Sequence, residues 1–127
     1  MTPRAGQLLE GADQAIATAQ RSLGERDLEA ASERACVAML RLAKACLDVD
    51  GSSPGSAQAV CVAYGQSFGR TGRMYSAYYR WLLDATDLRK ASGSDFAARI
   101  DYDAAATVVE RAEIFRDAVI RLLERSH

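Results

Sequence analysis

Apolar residues recur along this chain at three- and four-residue steps and nowhere alternate as a half-buried strand would, so the pattern predicts helices from end to end. Thr2-Pro3 offers a cap followed by proline at the first helical position, and Leu8, Leu9, Ala12, Ala15, Ile16, Ala19 and Leu23 continue a 3.6-residue period to about Gly24. Asp27 can cap a second helix running to about Leu47. In its stretch Ser32 to Leu47, residues Ala35, Ala38, Met39, Leu42, Ala43, Cys46 and Leu47 share one broad face. Glu33, Arg34, Arg41 and Lys44 lie largely off it. Small residues dominate that face and would let a neighbouring helix approach closely.

The run Asp48 to Ser56 is dense in breakers and reads as a loop in which Ser53 caps and Pro54 opens a third helix carrying Ala57, Val60, Cys61, Tyr64 and Phe68. Gly69-Arg70-Thr71-Gly72 makes a turn. Met74, Tyr75, Tyr78, Trp81, Leu82, Ala85 and Leu88 then form a fourth amphipathic helix, which Ala91 to Ile100 interrupts. A last helix begins near Asp101 or Asp103 and turns Ala105, Val108, Val109, Ala112, Phe115, Val119 and Leu122 inward. The expected class is all-α, an antiparallel up-and-down bundle of four to five helices forming a single domain over residues 1–127.

The second helix also resembles a family signature. HEPN domains (higher eukaryotes and prokaryotes nucleotide-binding), in their small prokaryotic branch, show a helix similar to S-R-A-Y-Y-A-M-F-H-A-A-K-A-L-L. Arg34, Ala35, Ala38, Met39, Ala43, Lys44, Ala45 and Leu47 stand where that pattern has them. Cys36 and Val37 replace its tyrosine pair, Leu40 its phenylalanine and Arg41 its histidine. Gly72, Arg89, Asp95-Phe96 and the stretch Ala106 to Phe115 resemble later elements of the family, so the likeness extends over roughly Leu8 to Leu123. It implies a HEPN-like bundle, a homodimer, and a nucleotidyltransferase partner within a prokaryotic toxin-antitoxin or defence pair, with RNA or a nucleotide bound in an inter-subunit cleft.

Active ribonucleases of that superfamily resemble one another in an arginine followed four to six residues later by a histidine. Histidine can move a proton near neutral pH while arginine stabilises the charged phosphorane. Arg89 matches the arginine, but Ser94, Asp95 and Phe96 fill the histidine positions, and the one histidine of the chain is His127. A carboxylate with a pKa near 4 is a poor proton donor at pH 7. Arg89 and Asp95 are therefore read as a structural or cleft-lining pair in a non-catalytic module. The enzyme alternative is a divergent, metal-independent endoribonuclease toxin using Arg89, Ser94 and Asp95, and a third reading is a purely structural helical adaptor.

The segment from Gly69 to Lys90 interleaves Arg70, Arg73, Arg80, Arg89 and Lys90 with Tyr75, Tyr78, Tyr79 and Trp81. Guanidinium groups can meet phosphates while rings stack on bases. Tyr78 and Trp81 sit at core spacing, which leaves Arg73, Tyr79, Arg80, Arg89 and Lys90 as candidate contacts to RNA or nucleotide.

Composition narrows these readings. The formal net charge of -1 excludes a broad electrostatic hold on nucleic acid, so any such contact must be local. Cys36, Cys46 and Cys61 are odd in number and contain no C-x-x-C pair, so reduced core thiols are expected, without a disulfide framework or zinc site. Asp48-x-Asp50-Gly51 fails as a calcium loop because its glycine comes too early, and no Glu-x-x-His motif offers a di-iron site. No cofactor or metal is expected. The N-terminal stretch lacks an apolar signal core and no apolar run is long enough for a membrane span, so a soluble cytoplasmic protein is expected.

Overall fold

Helix α2, Leu28–Val49, is the axis against which every other helix packs in this computed structural model, which describes residues 1–92 and 100–126. Around it lie α1 (Pro3–Gly24), α3 (Ala57–Tyr64), α4 (Ala77–Ser92) and α5 (Tyr102–Arg125). The architecture is an all-α bundle, with no strand among the described residues.

Side-chain caps start the helices where the chain supplies them. Thr2 Oγ1 accepts from the Ala5 amide at 3.0 Å with Pro3 at the first helical position, and the Asp27 carboxylate accepts from the Ala30 amide at 3.2 Å. Asp101 does the same for Ala104 at 2.7 Å. Each satisfies an amide that has no partner within the helix.

The third helix departs from the sequence expectation. Its cap is Ser56, whose Oγ accepts from the Ala59 amide at 3.0 Å, and not Ser53. Ser56 has the extended backbone a cap requires, at φ -120° and ψ 158°, and Pro54 falls outside the helix. The helix then widens into a π-helical turn over Gly65–Gly69, and α4 begins at Ala77, three residues beyond Met74.

Cross-helix contacts fix the directions. Thr2 meets Asp48 and Gly11 meets Arg41, so α1 and α2 run antiparallel across the short turn at 25–27. Cys46 meets Met74 while Glu33 meets Arg89, which sets α4 antiparallel to α2. Tyr78 packs on Phe115 and Asp84 pairs with Arg111, so α5 runs opposite to α4. It also runs opposite to α1, where Asp13 pairs with Arg116 and Gln20 with Glu113. The four long helices thus alternate up and down, with α3 inserted between the second and third.

The predicted apolar face of α2 is buried throughout, and burial extends well beyond it to Ala31, Ser32, Cys36, Leu40 and Ala45. A helix enclosed by four others has no fully solvent-facing side, and its alanines and cysteines leave room for that enclosure. Below it, Tyr64 stacks on Phe68 at 5.4 Å, and Phe115 meets the Tyr64 ring edge-on at 5.7 Å. Burial of each such ring stabilises the fold by about 1.5–3 kcal/mol.

Candidate nucleic-acid interface

Helix α4 separates the basic and aromatic residues that look continuous in sequence. Its sixteen residues span about 24 Å, with Arg73 just before its start and Arg89 and Lys90 near its end. The predicted contacts therefore belong to two ends of the bundle.

At one end, Arg89 lies beside α2, with its Nη2 3.6 Å from Glu33 Oε1. The same carboxylate receives Arg34 Nε at 2.5 Å and Nη2 at 2.8 Å. Hydrogen bonding from Arg34 holds the Glu33 carboxyl below its usual range. Cys36 is also near: burial pushes its thiol up to about 11, against the opposing pull of the Arg89 charge. Lys90 is exposed at the rim of a groove between α3 and α4 that Cys61 also lines. Ser94 and Asp95 lie outside the described residues, as does the proposed Arg89–Asp95 pairing.

At the other end, Arg73 holds a turn in place. Its Nη1 donates to Asp50 Oδ2 at 2.7 Å and its Nη2 to Oδ1 at 3.0 Å, while the guanidinium lies 4.1 Å from the Phe68 ring centre. This fork ties the 70–76 connection to the end of α2, and it holds the Asp50 carboxyl below its usual range. Tyr79, expected among the more exposed contacts, is half-buried with its ring packed over Gly65 and Gly69. Arg80 is exposed.

Beside Arg73 a shallow groove of about 200 Å³ opens between the start of α4 and the last turns of α5. Tyr75, 65% exposed, meets Tyr78 edge-on at a ring separation of 5.4 Å. Arg121 and Arg125 line the facing wall. Neither forms an ion pair among the described residues; Asp117, one turn before Arg121 on α5, is engaged by Arg116 at 3.2 Å. An exposed aromatic ring and two uncommitted guanidinium groups therefore share one concave surface.

Arg121 and Arg125 were not among the sequence candidates. Their signal was present as like charges four residues apart on one helical face, but only tertiary packing places them against tyrosines some fifty residues earlier. Chemically, such a surface can receive a phosphate on the arginines and a base against the Tyr75 ring. Among the described residues, no group of three His, Cys, Asp or Glu side chains is placed to hold a metal ion, and no helix is long and apolar enough to cross a membrane. The sequence matches no family model and no curated protein.

Proposed function

We propose that this chain is a HEPN-like, non-catalytic helical module that binds RNA or a nucleotide in the groove that Tyr75, Tyr78, Arg121 and Arg125 line beside the Arg73–Asp50 fork. The observation that carries this reading is the pair of uncommitted arginines on α5 that share a groove with the exposed Tyr75. A net charge of -1 gives no general attraction for phosphate, so binding depends on such a local surplus. The resemblance of the second helix extends the proposal to a homodimer working with a nucleotidyltransferase partner, in a toxin-antitoxin or defence pair of a prokaryotic cytoplasm. Binding is favoured over cleavage because Arg89 lies beside the Glu33 carboxylate and no histidine stands at positions 94 to 96.

The test is fluorescence anisotropy with a labelled single-stranded RNA. Arg121→Glu combined with Arg125→Glu is expected to weaken binding at least about tenfold, and Tyr75→Ala to weaken it by a further loss of stacking worth about 1–3 kcal/mol. RNA binding that both variants leave intact would exclude this surface. Arg89-dependent breakdown of the RNA during the same incubation would favour an enzyme.

A further inference from the structure

A groove of about 270 Å³ runs between α1 and α2, lined by Arg4, Gln7, Leu8, Gly11 and Gln14 on the first helix and by Arg41 on the second. Two arginines and two carboxamides share it, with no acidic residue in the lining. It has no residue in common with the groove that Tyr75 and Arg121 line.

Arg41 is firmly seated. Half-buried, it donates from Nη1 to the Gly11 carbonyl at 2.9 Å. Glycine at that position lets the arginine stem cross α1 closely, since a Cβ there would stand 3.2 Å from Arg41 Cδ. A guanidinium has five N–H donors, and a carbonyl answers one of them without neutralising the charge. Arg41 forms no ion pair among the described residues. Glu33, two turns earlier on α2, feels the Arg41 charge but is held by Arg34. Arg4 is held more loosely: its Nε lies 3.8 Å from Asp48 Oδ1, while Thr2 Oγ1 donates to the other oxygen of that carboxylate at 2.5 Å.

We propose that this groove is a second anion site that receives a small phosphate monoester, with Arg41 as its fixed seat, Arg4 closing over the phosphate, and Gln7 and Gln14 meeting hydroxyls of the attached group. Charge selects the ligand. A carboxylate is matched by a single guanidinium fork, whereas a phosphate monoester carries about -1.5 to -2 near neutrality on three terminal oxygens and uses two. Carboxamides both donate and accept, as hydroxyls require. The volume falls below the roughly 300 Å³ at which pockets for drug-sized ligands begin, which limits the occupant to a small molecule.

This site goes beyond the proposed RNA contact, does not depend on it, and is tested without RNA. The measurement is a titration at constant ionic strength, followed by nitrogen–proton NMR correlation of Arg41 Nε and the Gln7 and Gln14 carboxamides. Glycerol phosphate is expected to shift these signals to saturation and to bind more tightly than inorganic phosphate, whereas glycerol and succinate leave them in place. Arg41→Gln, read from the glutamine signals, should raise the dissociation constant at least about tenfold. Arg4→Gln, at an exposed position where folding is not at stake, should raise it about threefold. Arg70→Gln, on the exposed turn before α4, should leave it unchanged. Four results would each overturn the proposal: no saturable shift, an equal response to succinate, glycerol phosphate binding no more tightly than inorganic phosphate, or Arg4 and Arg41 variants that bind as wild type does.

Discussion

The Tyr79 ring packs so closely on Gly65 that a Cβ at that glycine would lie 2.6 Å from Tyr79 Cζ. At Gly69 the conflict is with the base of the same ring, 2.9 Å from Cγ and 3.0 Å from the tyrosine Cβ. The π-helical turn therefore has glycine at both of its ends because an aromatic ring from α4 occupies the space that side chains would need.

Gly69→Ala is accordingly expected to destabilise more than Gly65→Ala. The tip of a tyrosine can swing aside, whereas its Cγ and Cβ are held by the helix backbone. The expected cost at Gly69 is about 1–3 kcal/mol, read as a fall in the urea midpoint at unchanged slope. Most of that cost should vanish in a Tyr79→Ala background, where the conflict is absent.

The Arg73–Asp50 fork predicts a specific acid response. Asp50 has its carboxyl pKa lowered in the folded chain, chiefly by the Arg73 hydrogen bond. Its stabilisation is present above the unfolded carboxylate pKa of about 4 and is lost as pH falls through the lower folded value. Asp50→Asn should melt at a lower temperature than wild type near neutrality, with the gap closing as the pH is lowered below about 4. A gap that stays constant with pH would exclude the fork as its cause.

Thiol chemistry should report the burial of the inward faces of α2 and α3. Desolvation raises the Cys36 pKa to about 11 and moves the Cys46 and Cys61 pKa values upward as well. At pH 8 only about one Cys36 in a thousand would then be thiolate. All three cysteines should react slowly with an aromatic disulfide reagent in the native state and rapidly in concentrated urea. Rapid native reaction at one site would place that cysteine outside the core.

Salt dependence should separate phosphate contacts from stacking at the proposed interface. Each arginine that neutralises one phosphate of a single strand contributes about 0.7 to the slope of log affinity against log salt. Removing Arg121 and Arg125 together should therefore flatten that slope by about 1.4. Tyr75→Ala should lower affinity with the slope unchanged, a contrast readable from anisotropy titrations at several salt concentrations.

Much of this fold is legible in the sequence because helices record burial at fixed intervals. The apolar period of α1, the caps at Thr2, Asp27 and Asp101, and the inward face of α5 all follow from local spacing and local hydrogen bonding. The third helix is less legible. Ser53-Pro54 and Ser56 are both acceptable starts by local chemistry, and the glycines at 65 and 69 gain their meaning only from a ring on another helix.

The sequence by itself determined the all-α class and the amphipathic faces of the helices. Tertiary structure alone decided which charges are committed and which are free to meet a ligand. Arg73, read as a contact, is bound to Asp50, whereas Arg121 and Arg125, unremarked in sequence, line a groove with Tyr75 and Tyr78. A side chain's type and period are properties of its own helix. The partner that neutralises it, or leaves it uncommitted, is set by the neighbouring helix against which the chain packs.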